Sequence, residues 1–343
     1  MSAQGETAAA ARDRVASRPM PLLDLGPLIA GDKAGIAKLA EMVRETYQSL
    51  GFNAIVNHGI PADLVARMTE QSIRFHELPD EVKLAYRIDQ NQRGYIPPKA
   101  SLIKVSTYNK NTKFDSGGCF VLATEYGEDH PEAKAGKRFY SANQWPADLP
   151  GFKETAEEYM AAMTALGRCM LPLWALALEL PEEFFTPYFA TPYVYLRLSH
   201  YPPQAELEDN QFGHSPHADA SFQTFLPPAA EPGLQIMDTD GTWFWPEVED
   251  GALILNAGLF FERWTNGRFR ATPHRVIPPK RNHRYSVAGF VNPDLASVCA
   301  PLPSCVGPDN PPKYPTETYW DFYNWYMSSI YSHYPEFDTA PAA

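Results

Sequence analysis

Cysteine is scarce in this sequence: Cys119, Cys169, Cys299 and Cys305 are the only four in 343 residues, and no two form a C-x-x-C pair. That excludes a disulfide framework for a chain of this length and reads as reduced thiols in a cytoplasmic protein. Positive charge is also short, with 29 Lys and Arg against 41 Asp and Glu, a net charge of −12. An acidic chain without a basic run argues against nucleic acid and against a membrane as partners, while a local basic pocket can still hold an acidic small molecule. No run approaches the roughly 18–20 apolar residues of a membrane span. The first 18 residues, MSAQGETAAAARDRVASR, carry Glu6 and Asp13 and lack the apolar centre of a secretory signal, which predicts a flexible tail over 1–18. Internal repeats and low-complexity tracts are missing as well.

What is present is 44% hydrophobic and 13% aromatic residues, enough to bury a large core. Ile36, Leu39, Ala40, Val43, Tyr47 and Leu50 recur at helical spacing up to Gly51. FNAIVNHGIP then reads as a strand closed by Gly59 and Pro61, and Leu64, Val65, Met68, Ser72 and Phe75 mark a second helix. Arg93 to Pro146 is rich in Gly, Pro, Tyr and Asn, predicting long loops with short strands that cover a site. Helical spacing returns over 152–180, with Phe152, Ala156, Tyr159, Met160, Met163, Leu166 and Met170 as a core stripe and Pro172 as a break. From Tyr193 to Asn292 short apolar segments alternate with turns, the texture of a sandwich or barrel. The aromatic stretch 315–331 predicts a helix laid back onto the body.

SPHADASF, at 215–222, raises the chemical question. In an extended strand His217 and Asp219 point to one side and present an imidazole and a carboxylate together. Two His and one carboxylate on one face leave open positions on a metal that must also take a cosubstrate and oxygen. His274, in RATPHRVIP, is the best third ligand, since Pro273 favours an extended approach and Val276 and Ile277 continue a strand. His214 lies three residues before His217, which strand parity places on the opposite face. His58, His76, His130, His283 and His333 lie among polar or loop residues and read as surface or capping histidines. Ten residues beyond His274, Arg284, Ser286, Ala288, Phe290 and Asn292 share one face of a strand. A guanidinium beside a hydroxyl there would grip a carboxylate; the plainer reading pairs Arg284 with an internal acid.

The ordered set of H-x-D, a His about 55 residues on and R-x-S ten residues later, with NAGLFFERWTNGRFRATPHRV, IVNHGIP, RFHELPDEVK, RGYIPP, NQWP and LRLSHYPP, resembles the isopenicillin N synthase-like branch of the Fe(II)/2-oxoglutarate oxygenases. The resemblance runs from about residue 20 to 330. It implies an α+β fold whose core is a double-stranded β-helix, or jelly roll, with flanking N-terminal helices and a C-terminal helix. The layout expected is one catalytic domain over 19–343: a helical part (19–190), the jelly roll (191–312) and an aromatic helix (313–343). The resemblance implies that His217, Asp219 and His274 bind Fe(II), that Arg284 and Ser286 hold the distal carboxylate of 2-oxoglutarate, and that Tyr201 adds a hydrogen bond to that cosubstrate. Arg197, Phe290 and Asn292 match positions facing the substrate.

The sequence departs from the family at Ala220 and Ser221, where a Gly is usual after H-x-D. It departs again at PPAAEP before GLQ, at Leu259 where an Asp is frequent, and at Ser199 where plant members carry Asn. The implied reaction oxidises, most commonly hydroxylates, a small organic molecule with O2 while 2-oxoglutarate leaves as succinate and CO2. The alternatives are an oxidase that uses the same triad without 2-oxoglutarate, Arg284 and Ser286 then gripping the substrate, and an idle jelly-roll binding protein. Residues 100–126 and the aromatic C-terminal helix are the expected cover that keeps water out.

Overall fold

The computed structural model describes residues 15–103 and 108–330. The chain starts with two short strands, β1 (Ser17–Pro19) and β2 (Leu22–Asp24). β1 runs parallel to the later strand at Trp243–Glu247, so residues 17 and 18, expected in the tail, belong to a sheet. After a single helical turn at Gly26–Ala30, helix α1 (Lys33–Ser49) is capped by Asp32, whose carboxylate accepts from the Ala34 N–H, and it buries Leu39, Ala40, Val43 and Tyr47. After β3 (Phe52–Val56), α2 (Ala62–His76) buries Leu64, Met68, Ser72, Phe75 and His76.

His76 corrects an expectation. Its polar sequence neighbours suggested the surface, but it sits four residues after Ser72 on the same buried stripe and is 5% exposed. Its Nε2 bonds the Leu198 carbonyl at 2.9 Å, and burial pushes its pKa down to about 3. His130 caps the helical turn Pro131–Lys134 through Nδ1, as expected. His333 lies outside the described residues.

Among its described residues the expected loop region carries β4 (Gly94–Ile96), β5 (Gly118–Ala123) and one helical turn. Helix α3 (Phe152–Cys169) then stops at Met170, and α4 (Leu171–Ala177) restarts with Pro172 in its first turn, where a missing N–H costs nothing. The span Phe152–Ala177 is long and apolar enough to cross a membrane, contrary to expectation. In the structure it fills the core instead: Phe152, Tyr159, Met163, Met170 and Trp174 are fully buried.

The next eight strands build the jelly roll: β6 (Tyr193–Tyr201), β7 (His214–His217), β8 (Gln223–Leu226), β9 (Leu234–Met237), β10 (Trp243–Glu247), β11 (Leu253–Ala257), β12 (His274–Val276) and β13 (Arg284–Asn292). One sheet has the order β1-β10-β9-β12-β7 and the other β2-β3-β11-β8-β13-β6-β5-β4. β6 and β13 pair over nine residues, from Arg284 opposite Tyr201 to Asn292 opposite Tyr193. Period-two alternation then decides what each side chain meets. Leu198 and Val287 face the helices, where the Tyr159 hydroxyl donates to the Val287 carbonyl and His76 meets Leu198. Arg197, Ser199, Tyr201, Arg284, Ser286 and Phe290 line a cavity on the opposite face.

Helix α5 (Leu259–Trp264) follows β11 directly. Phe222, fully buried, lies 3.9 Å centroid to centroid from Phe261 of this helix; truncating such a side chain costs about 3–5 kcal/mol. Because Phe222 is three residues after Asp219, the same packing fixes the turn that carries that carboxylate. The last described helix, α6 (Tyr319–Ile330), buries Tyr319, Phe322 and Tyr323 in the main core, the docking expected of the aromatic C-terminal stretch.

Candidate metal centre and its pocket

β7 and β12 are antiparallel neighbours, and His217 stands directly opposite His274. Asp219 follows β7 by two residues. One donor atom from each of these three residues falls within 4.8 Å of the others, and all three residues are buried. Asp219 Oδ1 lies 3.7 Å from His217 Nε2 and 3.5 Å from His274 Nε2. Each ring is turned by a backbone carbonyl: His217 Nδ1 bonds Ser215 O at 2.8 Å, and His274 Nδ1 bonds Thr272 O at 3.2 Å. With Nδ1 so engaged, both Nε2 atoms are presented to the centre.

The other oxygen of Asp219 is occupied. Oδ2 accepts from Thr224 Oγ1 and from Asn256 Nδ2, both at 2.8 Å. Ser221, one of the departures from the family pattern, bonds Thr224 through its hydroxyl at 2.7 Å, so the substituted residues still support the carboxylate. Leu259, another departure, donates its N–H to the Asp219 carbonyl at 2.7 Å, a contact that needs no particular side chain. Gly258 must be glycine because a Cβ there would lie 2.2 Å from the Ser221 carbonyl oxygen.

Burial drives the His217 pKa down to about 3, helped by the neighbouring His214 and His274 rings. For Asp219 burial opposes ionisation, but the two imidazoles outweigh it and hold the carboxyl well below its usual range. Burial likewise opposes a charge on His274, and the Asp219 carboxylate overcomes it and raises that ring. A buried anion between two imidazole nitrogens is a donor set suited to a divalent cation of intermediate softness.

Arg284 stands beside this cluster, 3% exposed. Among the described residues it has no acidic partner: Nε donates to the Glu231 carbonyl at 3.1 Å, the guanidinium lies 5.0 Å over the Tyr201 ring, and Nη1 has no hydrogen-bond partner. Among the described residues, the internal ion pair weighed from the sequence is therefore not formed. A buried N–H of a guanidinium without an acceptor costs free energy unless a ligand supplies one, and a carboxylate is the natural complement. Gly233 leaves room for the stem, since a Cβ there would sit 2.6 Å from Arg284 Cδ.

The cavity that contains the triad offers about 80 Å³ of free space. Tyr201, Arg284 and Ser286 line it, and Arg197, Phe290, Tyr195, Phe52, Tyr326 and Met327 add to its wall. A larger opening of about 800 Å³ lies beyond Arg284, between the PPAAEP loop and residues 277–282, but it holds none of the three donors. Asn292 does not border the triad's cavity. Its amide is spent on the framework, accepting from the Phe222 N–H and donating to the Tyr193 carbonyl.

His214 corrects the parity argument. β7 and β12 change register between His274 and Val276, so three steps on β7 match two on β12. This bulge rotates His214 onto the face of His217, with ring centroids 4.1 Å apart. Pro216, which cannot donate to a ladder, sits inside the bulge. Sequence reasoning also missed Thr224, Asn256 and Asp115; only Asn256 left a signal, standing at the head of the NAGLFFERW block.

Residues 20–148 match the family described as non-haem dioxygenase in morphine synthesis N-terminal, and residues 193–293 match the 2OG-Fe(II) oxygenase superfamily. The chain is 34% identical over 311 residues to the 2-oxoglutarate-Fe(II) type oxidoreductase hxnY of Emericella nidulans, covering 88% of this chain and 87% of that protein. It is 33% identical to the Kihadalactone A synthase LFS of Citrus sinensis, covering 81% of this chain and 84% of that one. Among solved structures, JOX2 in complex with 2OG, Fe and JA is 27% identical with a TM-score of 0.73, covering 90% of this chain and 84% of that chain. The full-length Neurospora crassa T7H in complex with alpha-KG and thymine shares the fold, at 24% identity and a TM-score of 0.78, over 90% of this chain and 96% of that chain.

Proposed function

The chain belongs to the 2OG-Fe(II) oxygenase superfamily, and from that premise we propose that it hydroxylates a small organic molecule, with His217, Asp219 and His274 as the iron ligands. The protein is an enzyme with a jelly-roll core, with Fe(II) as the metal cofactor of its family and 2-oxoglutarate and O2 as the cosubstrates. When bound, Fe(II) and 2-oxoglutarate supply the oxidation of a C–H bond by O2, the cosubstrate leaving as succinate and CO2.

The chain's own residues do the positioning. Asn256 and Thr224 hold Asp219 Oδ2, so that Oδ1 is the oxygen offered to the ion. Arg284, with Ser286 beside it and Tyr201 across the strand pair, takes the far carboxylate of 2-oxoglutarate. Arg197 and Phe290 line the substrate side; Asn292 is assigned to the framework instead. Tyr326, whose hydroxyl donates to the Ala218 carbonyl at 2.9 Å, and Met327 close the cavity against water. No described residue of 100–126 borders the cavity, so the cover is assigned to α6. The acidic balance favours a small molecule over nucleic acid or a membrane, and four unpaired cysteines favour the cytoplasm.

The observation that carries the reading is the buried Nη1 of Arg284, without an acceptor, beside three converging metal donors. The test is anaerobic visible spectroscopy of the purified protein on adding Fe(II) and then 2-oxoglutarate. A charge-transfer band that needs both additions and disappears in His217→Ala supports the assignment. Iron binding with no band would favour the oxidase that grips its substrate with Arg284, and no iron binding at all would remove the reading.

A further inference from the structure

The β7 bulge leaves one side chain at the cavity without a role in holding the ion. The His214 ring borders the triad's cavity, yet its nitrogens lie outside the group of converging metal donors. It is held from behind. Asp115, 2% exposed, bonds His214 Nδ1 through Oδ2 at 2.7 Å. Asp115 Oδ1 accepts from both the N–H and the hydroxyl of Ser215, at 2.9 and 2.6 Å. Clamped in this way, the carboxylate fixes the ring's orientation and places a proton on Nδ1. The Nε2 atom has no protein partner among the described residues, and in that tautomer of the neutral ring it is the acceptor.

The wall around it is aromatic. Tyr195 and Phe290 stack at 4.3 Å with 8° between their planes, and Phe52 borders the same space. Such a surface suits a flat ring, and the one fixed acceptor suits a donor on that ring. We propose that His214, oriented by Asp115, is a substrate-positioning residue that accepts a hydrogen bond from a hydroxyl or ring N–H of an aromatic substrate. This sets which C–H faces the metal centre. The inference rests on the Fe(II)- and 2-oxoglutarate-dependent reading above and adds the class of molecule.

The experiment measures succinate release by the iron-loaded enzyme with a panel of hydroxyaromatic and N–H heteroaromatic compounds, each beside its O- or N-methyl counterpart. At least one donor-bearing compound stimulates succinate formation, and methylating it raises KM at least about tenfold, the worth of one hydrogen bond to a fixed partner. His214→Phe, which keeps a ring but no acceptor, raises KM for the same compound by a similar factor. The anaerobic band with Fe(II) and 2-oxoglutarate stays unchanged in that variant. His214→Gln, which restores an acceptor, recovers part of the loss, and Asp115→Asn falls between; a purely structural role would move neither in that order. A wild-type KM in His214→Phe overturns the proposal, as does a panel in which no donor compound stimulates. Loss of the band in His214→Phe alone also overturns it, by assigning the ring to iron. Absence of the band in the wild type is a different failure, since it removes the underlying reading itself.

Discussion

His217 and His274 are direct cross-strand partners, and their ring centroids lie 4.3 Å apart. Two imidazoles held this close in a buried site repel any second proton, and the Asp219 carboxylate between their Nε2 atoms is what makes the arrangement tolerable. The cluster is held by Ser215 and Thr272 carbonyls on the rings and by Thr224 and Asn256 on the carboxylate. Partners of this kind orient metal ligands and raise their affinity for a cation.

Removing the support should therefore weaken the ion without touching a ligand. Asn256→Ala frees Asp219 Oδ2 to rotate and should lower Fe(II) affinity about 10–100-fold, measured by competition with a chromogenic chelator. An unchanged affinity would mean that Thr224 alone holds the carboxylate.

Arg284→Ala should raise the KM for 2-oxoglutarate roughly a hundredfold, the equivalent of one or two hydrogen bonds to a charged group, with a smaller effect on kcat at saturating cosubstrate. Arg284→Lys keeps the charge but loses the planar fork, so it should recover only part of the loss. Initial rates of succinate formation against 2-oxoglutarate concentration separate the two parameters. Equal KM values in all three proteins would assign the buried guanidinium to another ligand.

The triad was readable because His217 and Asp219 are two apart in extended chain, and because Arg284, Ser286 and Phe290 obey strict alternation on a nine-residue pairing. His214 was misread since a bulge breaks that alternation, and a bulge is a property of two strands paired in space. Asp115 was invisible for a related reason: it lies 99 residues from His214 and meets it only through the fold. His76 shows the reverse case, where the helical period was the better guide and polar neighbours misled. Ser17 and Arg18, given to the tail, form a strand because β10 offers an edge over 220 residues away.

Deleting the C-terminal helix is a poor test of the cover, since Tyr319, Phe322 and Tyr323 belong to the main core. Tyr326→Ala is sharper. It removes the hydroxyl that ties α6 to Ala218, along with a wall of the cavity, and it should raise the substrate-free rate of 2-oxoglutarate decarboxylation several-fold as water gains access. Tyr326→Phe should change that rate less if the ring, more than its hydrogen bond, excludes water. A substrate-free rate equal to wild type in both variants would move the cover elsewhere.

The last prediction concerns acid stability and follows from His76. Burial holds its pKa at about 3, helped by the nearby His200 and Lys83, against an ordinary 6.5. The unfolded chain therefore binds a proton that the folded chain refuses between those two values, and stability contributed by the neutral ring is complete above pH 6.5 and drains away as pH falls toward 3. At pH 5 this amounts to a loss of about 2 kcal/mol relative to pH 7.5. His76→Gln keeps a donor for the Leu198 carbonyl and carries no titrating group, so it should start less stable at pH 7.5 but lose about 2 kcal/mol less on going to pH 5. Urea unfolding of both proteins at the two pH values measures the difference directly. Parallel losses in the two proteins would mean that His76 is protonated in the fold as readily as in the unfolded chain, which its buried bond to Leu198 and the packed rings of Phe75 and Tyr95 argue against.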